Sequence, residues 1–220
     1  MKRAILFDLD GTLIDTPSGI VQAFGVSLKS IGIGDVSDAA IRTTIGMPLE
    51  KAFASLLDVP AEDEKIACAI KQYQSAFKEI VLPKAKDLVF PGVVASLMVL
   101  KEQGIALAVA TSKFYTSAEA LLKAAELWDF FDVVIGADQV THPKPHPEMG
   151  QLVLKKLGVS AENAIMVGDT THDILMAYDA GMRSIAVTYG VHTISQLESS
   201  APTWMAHSFS DVLVHAQCSA

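Results

Sequence analysis

Two aspartates one residue apart, Asp8 and Asp10 in the run Asp8-Leu9-Asp10-Gly11-Thr12, directly follow the apolar stretch Ala4-Ile5-Leu6-Phe7. A short apolar run closed by a glycine turn predicts a buried parallel strand, and ligands of α/β sheets bind beyond the carboxyl ends of such strands. Side chains alternate along a strand, so Asp8 and Asp10 tend to point the same way and crowd two negative charges together. A divalent cation such as Mg²⁺, which prefers oxygen ligands, would offset them.

Three further signals fall just beyond expected strands or in the adjoining loops: Thr111-Ser112, Lys144, and Asp169 with Asp173. All carboxyl ends of a parallel sheet lie at one edge, so these distant segments converge there. On a phosphate ester, Asp8 could attack phosphorus to form an acyl-phosphate, and Asp10 could protonate the leaving oxygen and later accept a proton from water. Gly11 would let backbone amides approach the anion, Thr111 and its neighbouring N–H groups would bind another phosphate oxygen, and Lys144 would supply fixed positive charge. Each signal has a plainer reading. A lone Asp-x-Asp is common on solvated loops, Thr111-Ser112 is a typical helix N-cap, an isolated lysine is usually a surface residue, and Asp169 to Asp173 could merely charge a helix N-terminus. Pro143 and Pro145 restrict the loop around Lys144, and four coincidences at the same sheet edge favour chemistry.

The elements that must position these groups divide into two patterns. Thr16-Pro17 reads as an N-cap followed by proline at the first helical position, with Ile20, Phe24, Leu28 and Ile31 at helical spacing before Gly32. Helical signals continue over 41–44, 49–57 and 62–80, with no convincing strand from 16 to 81. Residues 16–82 therefore read as an α-helical cap inserted after the first strand, and 1–15 with 83–220 as the core. Hinges are expected near 15–17 and 82–84, which would let the cap serve as a lid. From Pro91 onward helices alternate with strands at 105–110, 132–135, 164–167 and 184–187, and a weaker strand-helix pair spans 203–215. The fold class is α/β, a Rossmann-like doubly wound parallel sheet without internal repeats.

Composition limits the function classes. The 220 residues are 50% hydrophobic and 19% charged, with 17 basic and 25 acidic side chains giving a formal charge of −8. That balance argues against broad nucleic-acid or anionic-membrane binding. Cys68 and Cys218 form no metal-binding pattern, and no apolar run is long enough to span a bilayer. The expectation is a cytoplasmic monomer or homodimer acting on a small phosphorylated metabolite.

The chain resembles the haloacid dehalogenase-like superfamily over essentially its full length. The resemblance rests on Asp8-Leu9-Asp10-Gly11-Thr12-Leu13, Thr111-Ser112, Lys144-Pro145 and Gly168-Asp169-Thr170-Thr171-His172-Asp173, in that order. It implies strand order 3-2-1-4-5 and a helical cap after the first motif. It further implies Asp8 as nucleophile and metal ligand, Asp10 as acid/base and backbone ligand, and Asp169 as second carboxylate ligand of Mg²⁺. Asp173 would orient a metal-bound water, while Thr111, Ser112 and Lys144 bind phosphate and Lys144 steadies Asp8.

Within the superfamily, Asp10 and Asp169 favour phosphoryl transfer over dehalogenation. Neither Lys29 nor Lys51 has the pattern of a Schiff-base lysine, which disfavours a phosphonatase. Gly168 stands where mutase relatives usually carry glutamate, leaving a mutase as runner-up. The segment Ile45-Gly46-Met47-Pro48-Leu49-Glu50 is similar to phosphoglycolate phosphatases and related pyrophosphatases. Arg42, Gly46, Met47 and Lys51 are the candidate substrate contacts of the cap, and His146 and His172 are expected to line the entrance. Phosphoglycolate is the leading expected substrate; pyrophosphate, nucleotides and sugar phosphates are alternatives. A phosphate-binding regulatory protein is the non-enzymatic one.

Overall fold

The computed structural model describes residues 2–34 and 36–218. Its centre is strand β1 (Ala4–Phe7), flanked in parallel by β2 (Ala106–Ala110) and β4 (Ala164–Gly168). With β3 (Val133–Ile135), β5 (Arg183–Val187) and β6 (Trp204–Ala206) the order is β3-β2-β1-β4-β5-β6, parallel throughout. The expected 3-2-1-4-5 order is therefore present, and the weak signal at 203–215 adds a sixth strand followed by a helix.

Parallel strands covered on both faces must be apolar on both, which is why β1, β2 and β4 read as unbroken hydrophobic runs. Alternate residues feed two layers. Ile5, Phe7, Leu107, Val109, Ile165 and Val167 face one way, and Ala4, Leu6, Ala106, Ala108, Ala164 and Met166 the other. Helices α5 (Val93–Glu102), α6 (Tyr115–Ala124) and α10 (Phe209–Cys218) cover the first face, while α7 (Glu148–Leu157) and α8 (Thr171–Asp179) cover the second. A short helix α9 (Ile194–Ser199) lies between β5 and β6 in the chain.

Between β1 and β2 the chain first builds α1 (Pro17–Ser30), α2 (Asp38–Arg42), α3 (Leu49–Leu57) and α4 (Glu64–Ile80), then a 3-10 turn at Leu82–Lys84. No strand occurs there among the described residues. Helix α1 packs along α4 closely enough for Ser27 Oγ to donate to the Ala69 carbonyl at 2.6 Å. Phe24, Phe53 and Tyr73 close the interior, with ring centroids 4.6 Å (Phe24–Phe53) and 4.8 Å (Phe24–Tyr73) apart. The two connections to the sheet are strapped together: Asp15 N–H donates to Leu88 O at 2.8 Å and Phe90 N–H to Leu13 O at 3.1 Å.

Three local expectations need correction. Thr16 precedes α1 but its side chain makes no cap, because its hydroxyl is drawn to Asp10 instead. The helix expected over 41–44 is α2, displaced toward the N-terminus by its true cap, Ser37, which accepts from Ala40 N–H. The helix expected from 62 starts at Glu64 because Asp63 caps it, accepting from Lys65 N–H at 2.9 Å. Cys68 is a free, exposed thiol, while the side chain of Cys218 lies outside the described residues. No described helix is long and apolar enough to cross a membrane.

Candidate active site

Asp8 continues the line of β1, its N–H donating to Val167 O on β4 at 2.9 Å, and its side chain is buried. Lys144 reaches it from the loop before α7. The ammonium lies 3.0 Å from Asp8 Oδ1, donates to Asp173 Oδ1 at 2.6 Å and to the Ala110 carbonyl at the end of β2 at 3.0 Å. Lys144 is only 3% exposed, so the surface-lysine reading fails for it. Burial alone would lower its pKa, but the carboxylates of Asp173 and Asp8 outweigh that and hold it above the usual lysine range.

Asp169, just beyond β4, is held from both sides. Thr12 Oγ1 donates to its Oδ1 at 2.9 Å and Val191 N–H to its Oδ2 at 2.8 Å. Asp173 closes the capping box of α8, whose N-cap is Thr170, accepting through Oδ2 from Thr170 N–H at 3.1 Å and Thr170 Oγ1 at 2.7 Å. Its other oxygen pairs with Lys144, so the helix-cap reading and the site reading hold together. Gly11 takes φ +83°, and a Cβ there would sit 2.3 Å from Asp169 Oδ2, so only glycine lets the β1 turn pass this carboxylate.

Asp8, Asp169 and Asp173 each offer a carboxylate oxygen, all within 4.8 Å of one another, and all three are buried. One ammonium serves two of these three anions. Burial pushes the Asp8 carboxyl up to about 6, against the pull of Lys144, and burial with the neighbouring charge of Asp8 raises Asp169 well above the ordinary carboxylate range. Asp8 Oδ1 is at ion-pair distance from Lys144 yet has no aligned hydrogen-bond partner. A cluster of hard oxygen donors, one of them left without a hydrogen bond, fits a divalent cation such as Mg²⁺.

Asp10 turns away from that cluster. Thr16 Oγ1 donates to its Oδ1 at 2.6 Å, and Lys113 Nζ lies 2.9 Å from its Oδ2. Thr111 is buried at the end of β2 with its hydroxyl accepting from Lys113 N–H at 3.2 Å, and Ser112 Oγ donates to the Gly46 carbonyl at 2.7 Å. Neither caps α6, whose N-cap is Phe114.

Above Asp8 and Asp10 opens a cavity walled by the sheet edge, by α1, α3, α4 and the α2–α3 loop, and by Ser117 of α6. Gly46 and Met47 line it as expected, whereas Arg42 and Lys51 do not. Arg42 bonds Ser18 Oγ at 3.2 Å on the outer surface. Leu49 and Ala52, three residues apart, take the inward face of α3, which leaves Lys51 on another side. His146 and His172 also lie outside the lining: His146 is exposed beside His142, ring centroids 4.6 Å apart, and His172 sits 6.1 Å from His192.

Four groups were not singled out from the sequence: Lys113, Thr12, Val191 N–H and Tyr73 as a cavity wall. Lys113 carried a usable signal, a cation directly after the Thr-Ser pair at a strand end. Val191 carried none, since a backbone donor leaves no trace in residue type.

A parallel α/β sheet with buried carboxylates and two buried lysines, Lys113 and Lys144, at its carboxyl edge, under a helical insert, defines a hydrolase of the haloacid dehalogenase type. The chain belongs to that family: the family model described as haloacid dehalogenase-like hydrolase matches residues 5–187. It is 56% identical to "Probable phosphatase IndB" of Dickeya dadantii over 97% of this chain and 93% of that protein. It is 32% identical to "Pyrophosphatase PpaX" of Bacillus cereus over 96% of this chain and 94% of that one. Among crystal structures, a predicted phosphoglycolate phosphatase from Haemophilus somnus superposes with TM-score 0.87 at 25% identity, each chain covered to 98%. The chain is thus a phosphatase of this family.

Proposed function

We propose that this protein is a Mg²⁺-dependent phosphomonoester hydrolase working through an aspartyl-phosphate on Asp8. The observation that carries the reading is the convergence of Asp8, Asp169 and Asp173 within 4.8 Å, with Lys144 bridging two of them. An Asp8 oxygen forms a bond to phosphorus as the ester P–O bond breaks, and Asp10 gives its proton to the departing alkoxide. Asp10 then takes a proton from the water that attacks phosphorus, releasing inorganic phosphate and restoring Asp8. Thr16 and Lys113 fix the Asp10 carboxylate for both transfers. Thr111, Ser112, the amides around Gly11 and Lys144 hold the phosphoryl oxygens. Asp8, Asp169 and the Asp10 carbonyl would hold Mg²⁺, with Asp173 behind them, and the metal supplies charge neutralisation at the phosphoryl group.

Residues 16–82 act in this reading as a cap over a core formed by 1–15 and 83–220. Hydrolysis is favoured over a mutase by Gly168. A Cβ at that position would lie 2.2 Å from Asp173 Cγ, so the glutamate of mutase relatives has no room beside this Asp173. Phosphoglycolate remains the substrate suggested by the resemblance, and the pyrophosphatase name of the 32% identical relative makes pyrophosphate the second. We place the protein in the cytoplasm as a monomer or homodimer. Phosphate release is to be measured over phosphoglycolate, pyrophosphate, nucleoside monophosphates and sugar phosphates, with Mg²⁺ and with EDTA. Metal-dependent turnover that is lost in Asp8→Asn supports the reading; binding without any turnover would make the protein a phosphate-binding regulator.

A further inference from the structure

The cavity is polar at one end only. Its charged lining consists of Asp8, Asp10 and Lys113, and everything the helical insert contributes is neutral. Ile20 and Phe24 from α1, Met47 and Leu49 around the start of α3, and Tyr73 and Phe77 from α4 make up most of that wall. Gln74, Thr44 and the hydroxyl of Tyr73 are the insert's polar exceptions in the lining. The two insert cations that could have met a second anion, Arg42 and Lys51, stand outside it.

Lys113 is already committed. Its ammonium is 2.9 Å from Asp10 Oδ2 and 4.1 Å from the Phe77 ring centroid, and the residue is buried. A carboxylate or second phosphate on the substrate would either face the apolar wall unpaired or take Lys113 away from Asp10. An unpaired charge moved from water into such a wall is strongly disfavoured, whereas an apolar body gains from the same transfer.

Resting on the phosphatase reading of this site, we propose that the substrate is the phosphate monoester of an uncharged, mainly apolar alcohol, with at most a polar group or two within reach of Gln74, Thr44 and the Tyr73 hydroxyl. Water cleaves it to that alcohol and inorganic phosphate. Compounds with a second anion next to the phosphate, phosphoglycolate and pyrophosphate included, are then poor substrates.

The test pairs turnover with binding. Benzyl phosphate, phosphoglycolate and pyrophosphate are compared by kcat/KM with the Mg²⁺-loaded enzyme. Benzylphosphonate and phosphonoacetate, which are not cleaved, are compared by calorimetric Kd. The benzyl member of each set, which carries no second anionic group, is expected to be favoured by about tenfold or more, the cost of one poorly compensated charge. Met47→Lys, a change on the partly exposed loop, is expected to narrow or reverse both ratios. Equal or better handling of the doubly anionic compounds in both assays overturns the proposal while leaving the hydrolase reading intact. Preferential binding of benzylphosphonate with no ester hydrolysed keeps the cavity assignment and removes the hydrolase reading. Absence of binding and turnover alike removes both.

Discussion

Lys113 touches two parts of the molecule at once: its Nζ is 2.9 Å from Asp10 Oδ2 on the β1 turn and 4.1 Å from the centre of the Phe77 ring on α4. The contact joins the proposed acid/base to the helical insert through one ammonium group, with the aromatic face taking part of its charge. The pair therefore defines where Asp10 points when the insert is seated. Lys113→Met is expected to lower kcat by about 100-fold with a smaller change in KM, because Asp10 loses its aim rather than the phosphate its site. Lys113→Arg should restore part of kcat. Equal losses in kcat and 1/KM would assign Lys113 to substrate binding.

Asp8→Asn should abolish phosphate release, on the order of 10⁴-fold or more, as expected for removal of a nucleophile. It should not unfold the protein. The substitution removes one of the two buried carboxylates that share Lys144 and leaves Asp169 one like charge fewer beside it, so its metal-free melting temperature should equal or exceed that of the wild type. A large drop in melting temperature would mean that the Asp8–Lys144 contact stabilises the fold.

Acid should stabilise the metal-free protein. The Asp8 carboxyl rises from an ordinary 3.8 to about 6 on folding, chiefly by burial, and Asp169 is raised as well. Between these two values the folded chain keeps a proton that the unfolded chain has released, so stability declines as pH rises through about 6. In EDTA the melting temperature should fall from about pH 4 to about pH 6.5, and Mg²⁺ should recover most of the loss only at the higher pH. A flat profile in EDTA would show that Lys144 already compensates the cluster.

Gly168→Ala should be costly for a one-carbon change. The added atom meets Asp173 at 2.2 Å, and Asp173 is pinned by Lys144 and by Thr170. A destabilisation of about 1–3 kcal/mol by chemical denaturation is expected, together with loss of turnover. Near-wild-type stability and activity would show that Asp173 can step aside, and the steric case against a mutase would lapse.

Closure of the insert over the sheet edge is expected around 15–17 and 82–84. Small-angle scattering with Mg²⁺ and a phosphate analogue should give a smaller radius of gyration than the free protein. Identical profiles would count against a large movement.

The parts legible in the sequence were those where residue type and neighbourhood agree. β1, β2 and β4 announced themselves because burial on both faces leaves no polar position, and Lys144 because two prolines flank it. Thr16 misled because its type and place suit an N-cap; only the tertiary approach of Asp10, six residues earlier, redirected its hydroxyl. Arg42 and Lys51 misled for the opposite reason. Their charge suggested an anion site, but the inward faces of α2 and α3 are taken by apolar residues, Ile41 on one and Ala52 and Phe53 on the other. Tyr73 packs on Phe24 inside the insert, and its place on the cavity wall depends on how α4 lies across the sheet edge, which residue type does not reveal.

The strap formed by Asp15 with Leu88 and Leu13 with Phe90 brings the departing and returning chain side by side. Inheritance can act on the two sides of this junction separately. Exchange or drift in the segment between them can change which molecule is admitted while the aspartates and Lys144 stay in place, provided Thr16 and Phe77, which hold Asp10 and Lys113, are kept. A new preference can thus arise within α1 to α4 without rebuilding the sheet edge, as long as Phe77 still meets Lys113 and Thr16 still meets Asp10.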